Sequence, residues 1–317
     1  MRRGRGRGSD RVQSIRFAIS IPQNAGPDGF DSVGFRRYVA RVEELGFESA
    51  WTQEQVLGSG GVLSPLEAMT YAAACSERLR LGCAVFVSPL HSPLHLAKSV
   101  SSLDRLSHGR VEIGLGTGGG GRQFAAFGVD PHTFVARFNE GISLMTACWT
   151  EPQINFDGRF WQLHEASMEP KPVQKPHPPI WIGGSHPAAL RRAVRRGHGF
   201  FGAGSQTTEK FAEQVQIVRE ELSRQGRDPA SFEIAKRVYI HVDDDQERAD
   251  EQIDAALAHH YGRGGLGPVA VSGPPAACVV GLRQVATAGA ELIQLNPMVD
   301  EAAQLERLAA EVIPQVS

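Results

Sequence analysis

Hydrophobic and polar positions change period regularly along the chain. Short apolar runs, typical of buried strands, alternate with longer amphipathic stretches, typical of helices such as VGFRRYVARVEELG at 33–46. Eight strand–helix units in this order predict an α/β fold, a single (β/α)8 TIM barrel. The apolar runs occupy residues 15–20, 47–51, 79–88, 110–116, 179–184, 199–204, 232–242 and 290–296.

One segment breaks this alternation. Residues 152–178 are rich in proline and aromatic residues, and Asp157-Gly158 is a hairpin turn signal. We therefore expect an insertion there, a small antiparallel ribbon with an extended arm, within one barrel domain over residues 15–317. The basic start, residues 1–14, has no apolar segment of a signal peptide and is expected to be a disordered leader.

The composition argues against several classes of protein, namely those that bind nucleic acid, span a membrane or hold a metal. The 317 residues carry a formal net charge of −2, which gives no field for attracting nucleic acid or an anionic membrane. No run of 18 apolar residues predicts a membrane span. The four cysteines form no C-x-x-C pair, and no His, Cys, Asp or Glu group has metal-ligand spacing. We expect a cytoplasmic protein with reduced thiols and no metal.

The fourth apolar run leads into glycines, in RVEIGLGTGGGGRQF at 110–124. Gly114, Gly116 and Gly119 fit G-x-G-x-x-G, and Glu140 lies about twenty residues on, as in a dinucleotide-binding fingerprint. That fingerprint belongs in the first βα turn of a Rossmann fold, whereas here it follows strand four of eight. The position favours a barrel strand that ends in bare backbone, against which a flat ligand lies.

Two further glycine-rich strand ends are candidates for a phosphate site. The first follows strand five and precedes a helix, so its backbone N–H groups and the helix dipole suit an anion. The second follows strand six and would supply the opposite wall. A tight turn that needs glycine is the alternative. The residues are Gly183, Gly184 and Ser185 in the first and Gly202, Ala203, Gly204 and Ser205 in the second.

Several stretches in order resemble one known family, the bacterial luciferase-like flavin-dependent oxidoreductases. The resemblance covers residues 15–315 and is closest to the branch that uses the deazaflavin coenzyme F420. The stretches are SSLDRLSHGR (101–110), VEIGLGTG (111–118), FGVD…ARFNE (127–140), KPVQKPHPPIWIGGS (171–185) and GAELIQLNP (289–297).

The resemblance implies a homodimeric enzyme that moves a hydride between coenzyme F420 and a small organic substrate. It also implies that Ala84 and Val85 contact the coenzyme through a non-proline cis peptide bond, and that Gly116, Thr117 and Gly118 lie against the coenzyme. Two alternatives remain open. One is an FMN-dependent monooxygenase that uses O2 and reduced flavin from a separate reductase. The other is a non-catalytic flavin-binding barrel.

This chain departs from the branch after strand two, where members commonly carry an Asp-His pair. Glu54 and Gln55 occupy those positions. Glutamine does not exchange a proton near neutral pH, so we expect Gln55 to orient a group by hydrogen bonding, whereas Glu54 can ionise. Polar residues at other strand ends complete the candidate site. They are His241 as an acid, and Gln23, Asn24 and Asn296 as substrate contacts.

Overall fold

A computed structural model describes residues 15–26, 29–58, 60–118 and 122–316. The leader predicted at residues 1–14 and Gly119 of the glycine motif lie outside these ranges. The model shows a closed barrel of eight parallel strands with helices between them, which confirms the predicted (β/α)8 fold.

The barrel is built from parallel strands. They are β1 Arg16–Ser20, β2 Ser49–Thr52, β3 Arg80–Val87, β4 Val111–Gly116, β7 Ile180–Gly183, β8 Gly199–Gly202, β9 Glu233–Val242, β10 Val271–Gly273 and β11 Leu292–Pro297. The barrel closes because each of its eight strands pairs in parallel with two neighbours. β1 lies between β2 and β11, and β8 pairs with β9 to complete the ring. A short strand, β10, extends the sheet beside the end of β9.

Helices pack outside the strands, and their starts follow local chemistry. Four of them begin with proline, whose missing N–H costs nothing at the first position of a helix. The helices are α1 Ser32–Glu44, α2 Pro65–Ala74, α3 Pro93–Leu106, α4 Arg122–Ala126, α5 Phe134–Thr150, α6 Pro187–Arg196, α7 Thr208–Arg224, α8 Gln246–Tyr261, α9 Pro275–Thr287, α10 Glu301–Arg307 and α11 Ile313–Val316.

The predicted ribbon is present between α5 and β7. It pairs β5, Ile154–Asp157, with β6, Gln162–Ala166, in antiparallel register. Glu140 holds its turn, because its carboxylate accepts backbone hydrogen bonds from Phe160 (2.7 Å) and Trp161 (3.0 Å). A Cβ at Gly158 would lie 2.2 Å from the same carboxylate. The acidic residue of the apparent dinucleotide fingerprint therefore has a structural partner.

Large aromatic side chains fill the inside of the barrel. Trp51 is 1% exposed, and its ring lies 4.7 Å from that of Phe201 and 5.9 Å from that of Trp181. A Cβ at Gly82 would lie 2.4 Å from the Trp51 ring, so glycine makes room for it. These rings fill the middle of the barrel, and active sites of this fold lie at the carboxyl ends of the strands.

The cysteines and helices of the described residues are consistent with this packing. All four cysteines are free thiols, and Cys83, Cys148 and Cys278 are buried. Within the same residues, no helix has both the length and the apolar character needed to cross a bilayer, and no group of three or more His, Cys, Asp or Glu side chains is placed to hold a metal ion.

Candidate active site

A cleft of about 320 Å³ opens at the carboxyl ends of β3, β4, β7 and β8. Its size falls within the ~300–1,000 Å³ typical of small-molecule sites. Eleven of the twelve residues predicted to bind a cofactor line it. They are Ala84, Val85, Gly116, Thr117, Gly118, Gly183, Gly184, Ser185, Gly202, Ala203 and Ser205; Phe201, Gln206 and Arg237 complete the lining.

Val85 explains two of the glycines in this wall. The Ala84-Val85 peptide bond is cis, as the resemblance implied. One methyl group of Val85 lies 2.5 Å from the position that a Cβ of Gly116 would occupy, and the other lies 2.9 Å from that of Gly183. Any side chain at either position would displace Val85. The glycines that end β4 and β7 therefore let Val85 sit between the two strands.

We expect Gly183→Ala to weaken coenzyme binding about tenfold, because the added methyl group pushes Val85 into the cleft. In a Val85→Ala background the same Gly183→Ala change should cost much less affinity, since the colliding methyl groups are gone. Fluorescence titration gives the affinities and circular dichroism checks the fold. Gly264→Ala is the control, because its Cβ would meet nothing within 4 Å. Equal losses with and without Val85→Ala would contradict this explanation.

Two helices begin beside the cleft and suit an anion there. α6 follows Ser185, and α7 follows Gln206 with Thr207 as its N-cap. Backbone N–H groups and the helix dipole at such ends favour phosphate. Lys236 supports the turn that follows β8, because its buried ammonium donates hydrogen bonds to the carbonyl oxygens of Ala203 and Gln206. Burial lowers the pKa of Lys236 to about 7.

A second, narrower pocket meets the cleft at Arg237 and contains all three predicted substrate residues, Gln23, Asn24 and Asn296. Its other lining residues are Ser20, Ile21, Trp51, Thr52, Gln53, His260, Gln294, Pro297, Met298 and Glu301.

Gln23 is the most constrained of the three predicted substrate residues. Its side-chain oxygen accepts from the Gln53 N–H (2.7 Å), and its nitrogen donates to the carbonyl oxygens of Gln53 (3.0 Å) and Leu63 (2.9 Å). Gln23 therefore positions the loop after β2, and Asn24 is the exposed neighbour that remains open to a ligand. Asn296 is buried, and its side-chain nitrogen lies 3.1 Å from the Met298 sulfur.

Arg237 joins the two spaces and was missed by the sequence analysis. Its Nη1 donates to the Gln53 side chain (2.9 Å), and its guanidinium carbon lies 5.5 Å from the Tyr239 ring centroid. The available signal was alternation in β9. Ala235 faces the barrel interior, so Arg237, two residues on, faces the same way near the ligand end.

Glu54 does not reach either space. Its side chain is 3% exposed, and its carboxylate accepts from the Val87 N–H (2.6 Å) and lies 2.7 Å from Nε2 of His91. An acid–histidine pair is thus present, but the histidine comes from the loop after β3. The pair anchors the end of that strand behind the cleft. Gln55, which the family resemblance predicted to orient a reacting group, is exposed on the loop and lines neither space.

His241 and Gly204 also lie outside both spaces. β9 is ten residues long, and its last residues pass the rim, where β10 and α8 cover them. His241 is 3% exposed there, and its Nε2 lies 2.7 Å from the side-chain oxygen of Gln252. Gly204 faces Tyr239, whose ring would lie 2.7 Å from a Cβ at that position. The structure thus does not bring His241 into contact with a ligand in the cleft.

Glu301 and His260 are titratable residues of the second pocket that the sequence analysis missed. Glu301 is the first residue of α10, and burial raises the pKa of its carboxyl group to about 7. His260 lies in the last turn of α8, where burial and then Arg237 lower its pKa. The sequence does not mark His260 as a site residue, because it does not show that α8 reaches the second pocket.

The fold and the site together define a (β/α)8 protein with a ligand site at the carboxyl ends of its strands. The chain belongs to the luciferase-like monooxygenase family, whose model matches residues 15–308. This result confirms the resemblance seen in the sequence motifs.

Characterised relatives include users of both coenzymes. The chain is 27% identical to an FMNH2-dependent dimethylsulfone monooxygenase of Pseudomonas putida over 75% of this chain and 68% of that protein. It is 26% identical to an F420-dependent glucose-6-phosphate dehydrogenase of Kineococcus radiotolerans over 68% of this chain. The aligned part makes up 65% of that enzyme and 62% of an uncharacterised Sinorhizobium fredii protein, so it spans less than two thirds of either relative's length.

A solved structure shows the same fold. The monooxygenase RslO1 from Streptomyces bottropensis superposes with a TM-score of 0.82 and 23% identity, covering 96% of this chain and all of that one.

Proposed function

We propose that this protein is a coenzyme F420-dependent oxidoreductase that transfers a hydride between the deazaflavin and a small organic substrate. The observation that carries the proposal is the junction of two spaces at Arg237. One is a glycine-walled cleft, and the other is a polar pocket that holds the titratable groups Glu301 and His260. Hydride transfer to a carbonyl carbon, or from the corresponding reduced carbon, needs a proton donor or acceptor beside the reacting carbon.

The residues of the cleft fit a flat, anionic coenzyme. Val85, Gly116 and Gly183 present backbone and small groups along one wall, where a planar ring can approach closely. The starts of α6 and α7 lie at the rim for a phosphate. When bound, the deazaflavin supplies a ring carbon that accepts or gives a hydride. Val85 and the glycines hold the ring, and Arg237 orients the substrate side.

Direct titration of the purified apoprotein with coenzyme F420 and with FMN tests this proposal. We expect F420 to bind at least about tenfold more tightly, a difference of about 1.4 kcal/mol. Gly183→Ala should weaken binding of the preferred coenzyme, and Gly264→Ala should not. Tighter binding of FMN would instead support the monooxygenase alternative, which the Pseudomonas putida relative motivates. Tight binding without turnover of any substrate would support the non-catalytic alternative.

Three further properties stay predictions. They are the homodimeric state, the cytoplasmic location and, if the coenzyme is FMN, a separate reductase that supplies the reduced flavin. Light scattering of the purified protein measures the first directly.

A further inference from the structure

Lys236 is a buried cation without a counter-charge. The residue is 2% exposed, and the centroid of the Phe211 ring on α7 lies 5.8 Å from its Nζ. Among the described residues no carboxylate compensates its charge. Buried charges in proteins are normally paired, because an unpaired ion loses its hydration without compensation. An anion that binds near Lys236 would supply the missing opposite charge.

The end of β8 leaves room for this lysine. A Cβ at Gly202, which pairs with Lys236 across the sheet, would lie 3.2 Å from Cδ of the lysine and 2.7 Å from the Phe211 ring. Glycine at this position therefore lets the ammonium reach the carbonyl oxygens of Ala203 and Gln206, which belong to the wall of the cleft.

The two hydrogen bonds of Lys236 fix the direction of two peptide groups in this wall. In a trans peptide the C=O bond and the following N–H bond point in opposite directions. The carbonyl oxygens of Ala203 and Gln206 point at the ammonium, so the N–H groups of Gly204 and Thr207 point away from it. In the described part of the chain neither N–H has an acceptor. Both are therefore available to an anion beside the start of α7.

The charge of Lys236 changes in the neutral pH range. Burial, and then Arg237 on the same strand, lower its pKa to about 7. The charged side chains in the first turn of α7, Glu209 and Lys210, are exposed, and the paired residues of β8 and β11 carry no charge. An anion bound at this wall would raise the pKa of Lys236 again, because it favours the charged form.

We propose that Lys236 is a positioning residue for the phosphate group of the coenzyme and that phosphate binding takes up a proton on its Nζ. This inference rests on the proposed function only in that a phosphate-bearing coenzyme occupies the cleft. The proton comes from solvent, and the free amine becomes an ammonium group. The amine has no charge and donates weaker hydrogen bonds, so it holds the wall less firmly. The affinity is therefore full below the pKa of Lys236 in the apoprotein and is lost as the pH rises through its higher pKa in the complex.

Calorimetric titration of the wild-type apoprotein with F420 tests this inference. Heats in two buffers of different ionisation enthalpy, neither of them phosphate, give the number of protons taken up. The ligand control is the deazaflavin fragment without its phosphate-bearing tail, which has the same titrating ring. If the pKa of Lys236 rises by about one unit in the complex, F420 should take up about half a proton more than the fragment at pH 7.5. Its affinity relative to the fragment should fall about tenfold from pH 6 to pH 9.

Variants of Lys236 separate this coupling from a purely structural role. Lys236→Arg keeps a cation that does not titrate, so its extra proton uptake should vanish and its relative affinity should change by less than about threefold over the same pH range. Lys236→Met should bind F420 at pH 6 about as weakly as the wild type does at pH 9. Lys210→Met is the control, because Lys210 is exposed on α7 and paired with Glu213, and it should keep the wild-type pH profile. Circular dichroism checks the fold of each variant.

The outcomes distinguish this inference from the proposed function. F420 that binds the wild type without extra proton uptake would overturn the inference and leave the proposed function standing. A pH dependence that persists in folded Lys236→Arg would also overturn it, since another group would then carry the proton. If FMN binds more tightly than F420, the proposed function is overturned, and FMN compared with riboflavin, which lacks the phosphate, decides this inference in the same way.

Discussion

Replacing Arg110 with methionine is expected to lower the free energy of unfolding by about 3–5 kcal/mol. Its buried guanidinium donates to the carbonyl oxygens of Ala73 (3.0 Å), Ser76 (3.0 Å), Leu79 (2.8 Å) and Ser107 (2.7 Å). The Ala73 oxygen lies in the last turn of α2, where a helix leaves its carbonyl groups unpaired. Methionine fills similar space but donates no hydrogen bond, so several buried acceptors lose their only cation.

Urea denaturation of wild type and Arg110→Met measures this effect as a shift in the midpoint. Arg191→Met is the matched control, because Arg191 is exposed on α6, and a change within about 0.5 kcal/mol is expected there. Arg110 lies at the start of β4, far from the ligand end of that strand, so the folded fraction should keep its coenzyme affinity. A loss of less than about 1 kcal/mol would show that water replaces the guanidinium at little cost.

Arg110 also shows what the sequence motifs could and could not tell. It ends the stretch SSLDRLSHGR, and Asp104 in the same stretch is fully buried. The Asp104 carboxylate accepts from the backbone N–H groups of Val173 (2.7 Å) and Gln174 (3.0 Å), in the motif KPVQKPHPPIWIGGS. Two motifs that identified the family therefore bind each other. The order of motifs predicted the fold, but no local pattern shows a contact between residues about seventy positions apart.

The barrel and the glycine cleft were predictable because both depend on local signals. Alternating apolar runs fix the strands, and glycines at strand ends mark places where backbone is exposed to a ligand. The polar residues of the site were harder, because their direction depends on how far each strand extends past the rim. The Arg237 side chain lies at the junction of the two spaces, whereas His241, four residues further along β9, is covered by α8.

Glu54 and Glu301 both show that position in the sequence does not tell whether an acidic side chain faces the ligand space. Glu54 was predicted to face it and does not, whereas Glu301 was not predicted and does. Glu54 occupies the position that the family pattern marks, yet its carboxylate is hydrogen-bonded to the Val87 N–H and the His91 ring. Glu301 occupies the first turn of a helix, where acidic residues are common for dipole reasons alone. Glu301 is half-buried because α10 packs against β9 and β11. Nothing in the order of residues distinguishes Glu301 from Glu247, which is exposed in the first turn of α8.

Replacing Arg237 with alanine is expected to lower kcat/KM of the F420-dependent reaction about 1,000-fold, on the basis of the proposed function. Of the described residues, Arg237 alone lines both the cleft and the second pocket. Its guanidinium also holds the Gln53 side chain (2.9 Å), so its loss frees the loop that Gln23 positions. Both the coenzyme and the substrate should therefore be held less well.

Arg237→Lys separates charge from geometry, since lysine keeps the cation but lacks Nε and the planar fork. We expect Arg237→Lys to recover coenzyme affinity more fully than turnover. Its kcat/KM should stay about 10–100-fold below wild type, because the substrate loses the donor that Nε of Arg237 provides. Arg263→Ala, an exposed arginine in the loop after α8, is the control for loss of a positive charge. A kcat/KM for Arg237→Ala within about threefold of wild type would mean that hydride transfer does not take place at the junction of the two spaces.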